Sequence, residues 1–329
     1  MLKKDKHKFY DFFYKINERS KFKIFLLKTK SSQSQLKFYM LYDIFYNVVV
    51  SYKQRLLNKA DFVILREFNT IPFFISALFL WPISKRIVLN VNHNFQKALI
   101  SRVHYWLLIL YDALGFRYLC FECEKSPIPF KNTMLTIPFP IEGLGERHLT
   151  KTTSDSCQTR IGFAGSYRTE KKIEELLIAL QPLKAMNYEL VLATDNESLL
   201  QEYHSKGWTV FNTSDTENYL KSIEYINILV LNYDVENYYC RHSGVLTDFI
   251  AKGKIVIAPN YLIFRRQLLE PCQVGLLFDD LTLLPKLVHS NMGKLLCTFD
   301  INREMYISSR RFASVVQQLD EQLSCLKQN

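Results

Sequence analysis

The sequence predicts an α/β protein with parallel sheets and crossover helices. Short apolar segments typical of buried strands alternate with helical patterns along most of the 329 residues. Such alternation is typical of parallel sheets whose strands are joined by helices. A polar, turn-rich stretch at 142–159 interrupts it once, and the halves on either side differ in charge. We therefore predict two domains, comprising residues 1–145 and 155–329.

The first half contains four segments with the apolar pattern of buried strands. Two helical patterns separate the first three of them, at 69–84 and 93–116. The strand segments are ADFVILREF (60–68), KRIVLNVN (85–92), RYLCFEC (117–123) and MLTIPFP (134–140).

The second half repeats the alternation more regularly, in the pattern of a doubly wound sheet. Its predicted strands are RIGFAG (160–165), YELVLATD (188–195), WTVFNT (208–213), INILVLNYD (226–234) and KIVIAPN (254–260). The predicted helices between them cover 170–186, 197–207, 217–225 and 244–253.

The excess of positive charge is confined to the first half. Residues 1–150 contain 23 Lys and Arg against 11 Asp and Glu, a net charge of +12, whereas residues 151–329 contain 19 against 21, a net charge of −2. This asymmetry predicts an anionic partner for the first half: nucleic acid, an anionic bilayer surface or a phosphorylated lipid. No recognised nucleic-acid-binding module accompanies the charge, so we expect no nucleic acid.

The apolar segments predict a protein that does not span a membrane. The two most apolar runs, 71–83 and 105–116, are shorter than the roughly 20 residues that cross a bilayer, and Asp112 interrupts the second. The first 23 residues are charged throughout, without the pattern of a secretory signal. Cys120 and Cys123 have CxxC spacing but no second pair, which favours reduced thiols over a zinc or redox site. We therefore predict a cytoplasmic protein.

Two loops of the second half carry chemistry suited to an anionic ligand. In GFAGSYRTEKKIEELL (162–177) a strand ends near Gly165, and Arg168, Lys171 and Lys172 surround the predicted start of a helix. Helix N-termini favour anions, and nearby cations add to that preference. The alternative is a solvated basic turn on a surface helix.

The second loop is YYCRHSGVLTDFIAKG (238–253), where Arg241, Ser243, Gly244 and Asp248 fall within eight positions ahead of a predicted strand. A serine cap followed by glycine lets the backbone approach a ligand closely, and an acid further into the helix can accept hydrogen bonds from sugar hydroxyls. The alternative is that Ser243 is only an N-cap and Asp248 only a helix-dipole partner.

One residue of the first half joins the candidates. His93 follows a predicted strand, in LNVNHNFQ (89–96), which is a suitable place for a general base or an acceptor-binding residue. A loop histidine without a role is the alternative.

Together these segments resemble the GT-B glycosyltransferases, in particular the retaining family 4 (glycosyl transferases group 1). That group typically shows G-x-x-x-x-E-K-G at the first strand–helix turn of its second domain, where this chain has GSYRTEKKI (165–173). Lys171 matches the diphosphate-binding lysine. Ser166 replaces an arginine of the group, and Arg168 is the candidate substitute.

The group's second signature is a pair of acids eight positions apart. DFIAKGKIVIAP (248–259) resembles the segment that the later acid opens, so Asp248 matches that acid, whereas Cys240 replaces the earlier one. RHSGVLTDF (241–249) resembles a variant, R-x-S-G-x-x-x-E/D-A, found in some bacterial members. MLTIPFPIE resembles the strand end that precedes the interdomain linker.

The resemblance implies a fold, a reaction and a set of site residues. The fold would be two Rossmann-like doubly wound domains facing a central cleft. The reaction would move a sugar from a nucleotide-diphosphate sugar to a hydroxyl acceptor, without metal or further cofactor. His93 and Asp248 would be the catalytic candidates. The donor and phosphate would be held by Gly165, Ser166, Arg168, Lys171, Arg241, Ser243 and Gly244.

The resemblance also implies a location and leaves alternatives. The acceptor would be a glycan or lipid-linked molecule, and the basic half would rest on the inner face of the cell membrane. Helix 95–116 is the candidate contact face, with Phe95, Lys97, Arg102, Tyr105 and Trp106. The alternatives are an interdomain or core helix at 95–116, and, for the whole protein, a nucleotide-sugar epimerase or a non-catalytic GT-B partner protein.

Overall fold

The computed structural model describes residues 16, 19–27, 60–65, 69–123, 126–132, 134–141 and 158–328. They form two compact units. One comprises the described residues up to 140 together with 312–328, and the other comprises the described residues of 141–311. The predicted interdomain stretch at 142–159 lies almost entirely outside the described residues. None of the described helices is both long and apolar enough to cross a bilayer.

The first unit contains a parallel sheet whose described strands run in sequence order. The strands are β1 (Ile24–Leu27), β2 (Phe62–Leu65), β3 (Ile87–Asn90), β4 (Arg117–Phe121) and β5 (Met134–Ile137). The helices between β2 and β4 are α1 (Phe73–Leu80), α2 (Asn92–Ile100) and α3 (Arg102–Ala113), with a 3₁₀ turn at Trp81–Arg86.

The helix predicted at 93–116 is two helices. Ser101 has extended backbone (φ −131°, ψ 114°), which breaks the hydrogen-bond ladder between α2 and α3. The periodicity of apolar residues alone does not reveal such a break, because both helices bury one side.

The second unit confirms the predicted alternation of strands and helices. Its strands are β6 (Thr159–Ala164), β7 (Tyr188–Thr194), β8 (Thr209–Asn212), β9 (Ile228–Val230), β10 (Ile255–Pro259) and β11 (Gly275–Phe278). Its helices are α4 (Ile173–Ala185), α5 (Glu197–Ser205), α6 (Thr216–Tyr225), α7 (Val235–Tyr238), α8 (Gly244–Ala251), α9 (Leu262–Leu269) and α10 (Leu284–Arg310). Strands such as β10, with all five residues buried, read as continuous apolar runs because helices cover both faces of a parallel sheet.

The strand order of this second sheet reverses once. All neighbours are parallel and the order is β11-β10-β9-β6-β7-β8, so the chain moves outward in one direction from β6 to β8 and in the other from β9 to β11. The reversal lies between β6 and β9. Open α/β sheets bind ligands at such a point, outside the carboxyl ends of the strands.

The C-terminal helix α11 (Phe312–Gln328) belongs to the first unit, so the predicted domain of 155–329 is wrong at its end. Gln322 accepts a hydrogen bond from the Thr136 amide (2.8 Å) and donates one to its carbonyl (2.7 Å), at strand β5. Val315, Leu319 and Leu323 of α11 join the core of the first sheet.

Candidate functional site

The two loops singled out in the second half meet at the point where the strand order reverses. The loop after β6 covers 165–172. The loop after β9 covers 231–243, includes the short helix α7 and leads into α8. The Asp234 amide donates to the Glu170 carbonyl (2.8 Å), and Asn232 Nδ2 donates to the Lys172 carbonyl (3.2 Å). We call these two loops with the start of α8 the switch-point site.

Lys171 is buried at the centre of this site. It ends a 3₁₀ turn (Thr169–Lys171) ahead of α4, and it is 2% exposed. Its Nζ donates to the Ser166 carbonyl (2.8 Å) and lies 5.6 Å from the ring centroid of Tyr233. The alternative interpretation, a solvated basic turn on a surface helix, therefore does not hold for Lys171.

Gly165 is required where Lys171 folds back onto the loop. Its φ of +146° is one that L side chains rarely adopt, and a Cβ there would lie 3.0 Å from Lys171 Nζ. The loop reaches its shape because glycine supplies both the backbone conformation and the space.

Two arginines are electrostatically coupled to Lys171. Burial lowers the pKa of Lys171 to about 8, with further lowering by Arg168 and Arg241 against opposition from Asp195 and Glu170. Arg168 is half-buried, with Nη1 3.8 Å from a Glu170 carboxylate oxygen, and the Arg241 guanidinium lies 5.0 Å from the ring centroid of Tyr238. Three cations thus converge on one loop cluster, which favours a multiply charged anion.

The start of α8 forms the neighbouring side of the site. Ser243 Oγ accepts from the Leu246 amide (3.3 Å), so the N-cap interpretation of this serine holds. A Cβ built on Gly244 would meet no described atom within 4 Å, so the described part of the chain leaves the space beside this helix start open. At the other end of α8, Arg303 Nε donates to the Ile250 carbonyl (3.0 Å) and Nη2 donates to the Ala251 carbonyl.

Gln267 holds the backbone turn at Ser243 in place through hydrogen bonds. This fully buried side chain of α9 accepts from the Ser243 amide (3.1 Å) and donates to the Ser243 carbonyl (3.3 Å) and to Thr247 Oγ1 (3.4 Å). The sequence gives no signal for this role, because it depends on how α9 packs against α8.

We expect Gln267→Leu to lower the free energy of unfolding by about 1–3 kcal/mol, because it leaves the buried amide of Ser243 without its acceptor. Thermal or urea unfolding measures this change. If Ser243 and Gly244 also hold a ligand, binding of that ligand should weaken in the folded variant. Gln201→Leu, at an exposed position of α5, serves as the control for loss of a glutamine, and unaltered stability in Gln267→Leu would contradict the role.

The structure places the remaining predicted residues as follows. Asp248 lies in the second turn of α8 and is half-buried. The helix dipole acts mainly within the first turn, so the dipole-partner interpretation of Asp248 loses support. Cys240 is buried, and no acid occupies its position. His93 belongs to the first turn of α2 in the first unit rather than to a loop, and its side chain is outside the described part.

Two tyrosines that the sequence did not predict as site residues lie beside Lys171 and Arg241. Tyr233 and Tyr238 lie with ring centroids 4.2 Å apart, and burial raises the pKa of both phenols. The segment NYDVENYYC (232–240) is rich in tyrosine, and this is the feature of the sequence that could have identified the two residues. Among the described residues no group of three or more His, Cys, Asp or Glu is arranged to hold a metal ion.

Solved structures share this architecture. Sucrose-phosphate synthase from Thermosynechococcus elongatus matches with a TM-score of 0.61 and 13% identity, over 92% of this chain and 83% of that one. Anabaena HepE, in its complex with UDP, matches with a TM-score of 0.64 and 11% identity, over 85% and 82%. A glycosyltransferase from Rickettsia africae matches with a TM-score of 0.59 and 14% identity, over 91% and 84%.

These similarities define the fold, which is the GT-B fold of glycosyltransferases with a Rossmann-like parallel sheet in each unit. No protein-family model matches the sequence, and no curated protein matches it.

Proposed function

We propose that the protein is a hexosyl-type glycosyltransferase that moves a sugar from a nucleotide-diphosphate sugar to a hydroxyl of a glycan or lipid-linked acceptor. The observation that carries this proposal is the convergence of Arg168, Lys171 and Arg241 at the reversal of strand order. A diphosphate is the multiply charged anion that such a site fits, and Lys171 has the position of the diphosphate-binding lysine in the family 4 pattern that the sequence resembles.

The proposed chemistry is electrostatic. When the bond between sugar and diphosphate breaks, the leaving diphosphate gains negative charge, and cations already held in place stabilise that charge without reorganising. Lys171 is held by the Ser166 carbonyl and by burial, so its position is fixed before the donor arrives. Gly165, Ser166, Ser243 and Gly244 would border the phosphates through their backbone.

Asp248 and His93 have the proposed roles closest to the sugars. Asp248 follows the helix start by one turn and would accept hydrogen bonds from hydroxyls of the donor sugar. His93 would act on the acceptor side, as a base or a binding residue. The proposed reaction requires no metal and no cofactor besides the donor itself.

The neighbouring structures support the choice of substrate class. Anabaena HepE is described in complexes with UDP-glucose and with UDP and glucose, and the pneumococcal O-GlcNAc transferase GtfA in complex with UDP and GlcNAc. By analogy the donor would be a UDP-sugar. We also propose that the protein works in polysaccharide biosynthesis as a cytoplasmic enzyme, peripheral on the inner face of the cell membrane.

A second candidate, a non-catalytic GT-B partner protein, is favoured by the buried Cys240 in place of an acid. Hydrolysis of donor sugar by the purified protein separates the two, since a partner protein retains the fold without turnover.

Isothermal titration calorimetry with UDP, GDP and ADP tests the proposal. We expect one diphosphate to bind, and to bind with uptake of a proton near pH 9. In the free protein Lys171, with a pKa of about 8, has largely lost its proton there, whereas the diphosphate charge raises that pKa and restores the proton.

Two results check this expectation. Repeating the titration in buffers of different ionisation enthalpy gives the number of protons taken up, which should rise from about pH 7 to about pH 9 while affinity falls. No binding by folded protein contradicts the proposed function, and binding without proton uptake removes Lys171 from the phosphate site.

A further inference from the structure

Helix α1 carries a stripe of exposed apolar side chains. Its inner side, with Phe73, Ala77 and Leu80, is fully buried. Its outer side presents Leu78 and Phe79, the latter 57% exposed, and the 3₁₀ turn that follows begins with Trp81, 59% exposed. Single exposed apolar residues are common, whereas several large ones grouped on one surface mark an interaction site.

Helix α3 carries a second stripe of the same kind. Val103, Trp106 and Leu110 share its outer side, and Trp106 is 64% exposed, while Leu108 and Tyr111 are buried on the inner side. Phe73 of α1 packs edge-on against Tyr111 of α3, with ring centroids 5.2 Å apart. The two helices are therefore neighbours over the same sheet, and both stripes point away from it. We call their exposed side chains the α1–α3 face.

The surface charge of the segments that carry this face has one sign, and it comes from the exposed Lys85, Lys97 and Arg102, since Arg86 is half-buried. Between residues 69 and 116 the sequence contains Lys85, Arg86, Lys97 and Arg102 and a single acid, Asp112. Asp112 is 3% exposed, and its carboxylate accepts from the amides of Lys131 (2.7 Å) and Asn132 (3.1 Å). It therefore does not offset the positive charge at the surface.

The combination of exposed apolar side chains and positive charge indicates which kind of partner binds the α1–α3 face. A second copy would bring together two surfaces with the same excess of positive charge, which is costly across an interface. A membrane surface offers both complements at once: acyl chains for the apolar side chains and anionic headgroups for the lysines and arginines. Tryptophan is also favoured at that boundary, since its ring is apolar and its N–H is polar.

We propose that the α1–α3 face docks the protein on an anionic membrane, with Phe79, Trp81 and Trp106 inserted between the lipids. This inference rests on the membrane location included in the proposed function, and it assigns that location to a surface. It replaces part of the contact face expected from the sequence: Phe95 is fully buried and cannot reach lipid, whereas the α1 stripe, outside helix 95–116, belongs to the surface.

Vesicle flotation of the full chain tests the docking face. We expect binding to phosphatidylcholine vesicles that contain phosphatidylglycerol, weaker binding without it, and loss with added salt, which screens surface charge. Trp81→Asp combined with Trp106→Asp should weaken binding by more than tenfold. The matched control is Ile178→Asp combined with Leu296→Asp, two exposed apolar residues of the second unit, which should bind as the unaltered protein does.

Tryptophan fluorescence measures directly whether Trp81 and Trp106 insert into the lipid. The chain contains three tryptophans, and Trp208 is buried against Tyr203 in the second unit. Lipids brominated along the acyl chain should therefore quench Trp81 and Trp106 in a Trp208→Phe variant, and added salt, which weakens binding, should reduce the quenching.

Three results would overturn the proposal: vesicle binding that the double aspartate variant retains, fluorescence that brominated lipid does not quench, or light scattering that shows dimers lost in that variant. Nucleotide titration of the same variant separates this failure from failure of the proposed function. If the double aspartate variant still binds UDP but no longer binds vesicles, the docking face is supported. If neither the variant nor the unaltered protein binds UDP, the proposed function of the switch-point site is wrong.

Discussion

Lys171→Met is expected to lower the rate of sugar transfer by about 100- to 1,000-fold, the typical effect of removing one preorganised charge that stabilises a developing anion. Methionine is close to lysine in length and fills the same space between Phe163 and Tyr233. It therefore removes the ammonium without opening a cavity. Alanine would do both, which makes it the weaker test for a residue that is buried.

The folded state should tolerate the methionine. Its substitution leaves the Ser166 carbonyl without the Nζ donor, a loss of about 1–3 kcal/mol if no water replaces it. The opposing effect is a gain in stability, because the variant no longer buries a charged ammonium away from water. The cost of that burial is what lowers the pKa of Lys171. Because the two effects oppose each other, we expect little change in Tm.

Lys172→Met is the matched control. Lys172 is the next residue, is exposed, and has left-handed backbone (φ 43°) that methionine adopts no worse than lysine. It loses the same charge at nearly the same place, and transfer should stay within about threefold, as expected for a screened surface charge. Equal rate losses in both variants, or full activity of a folded Lys171→Met variant, would assign the phosphate role to Arg168 and Arg241 instead.

The position of the site could be predicted from the sequence because it follows from strand ends. RIGFAG and INILVLNYD are recognisable as buried strands, and polar residues after parallel strands gather at one edge of the sheet. That these two strands are adjacent, at the reversal of order, is not readable from the pattern. It depends on pairing between segments more than 60 residues apart, such as Ile161 with Ile228.

The environment of Lys171 could not be predicted, for a local reason. The turn around it combines Gly165 at φ +146° with left-handed Lys172, and this returns the lysine side chain onto its own loop. A sequence pattern read as a helix start gives no sign of that turn. Burial then changes the chemistry as well, since the lowered pKa follows mainly from desolvation.

The packing partner of the C-terminal helix α11 could not be predicted from the sequence, for a different reason. Its apolar periodicity is compatible with packing against either sheet, and proximity in the chain favours the second. The actual partner is chosen by tertiary contacts, such as those of Gln322 with Thr136, 186 residues away. Gln267 was missed for the same reason, since a buried glutamine becomes informative only when the backbone of Ser243 lies beside it.

Asp248→Asn is expected to lower transfer by about 10- to 100-fold with little change in Tm. The amide keeps the shape of the side chain but loses a charge-assisted hydrogen bond to a sugar hydroxyl, about 1.5–3 kcal/mol. Each 1.4 kcal/mol corresponds to about tenfold in rate. UDP binding should be preserved, since the proposed contact is to the sugar and not to the diphosphate. Rates with saturating donor, UDP titration and thermal unfolding measure the three quantities.

Glu175→Gln provides the comparison that separates a donor contact from a helix-dipole partner. Glu175 is an exposed acid in the first turn of α4, where neutralisation should cost at most about 1 kcal/mol of stability and leave transfer unchanged. Asp248 lies beyond the first turn of α8, so its neutralisation should show the opposite pattern. His93→Ala is the acceptor-side comparison and should reduce transfer while sparing nucleotide binding. If Asp248→Asn instead melts early and turns over normally, as Glu175→Gln is expected to, Asp248 stabilises α8 and the donor sugar is held by other groups.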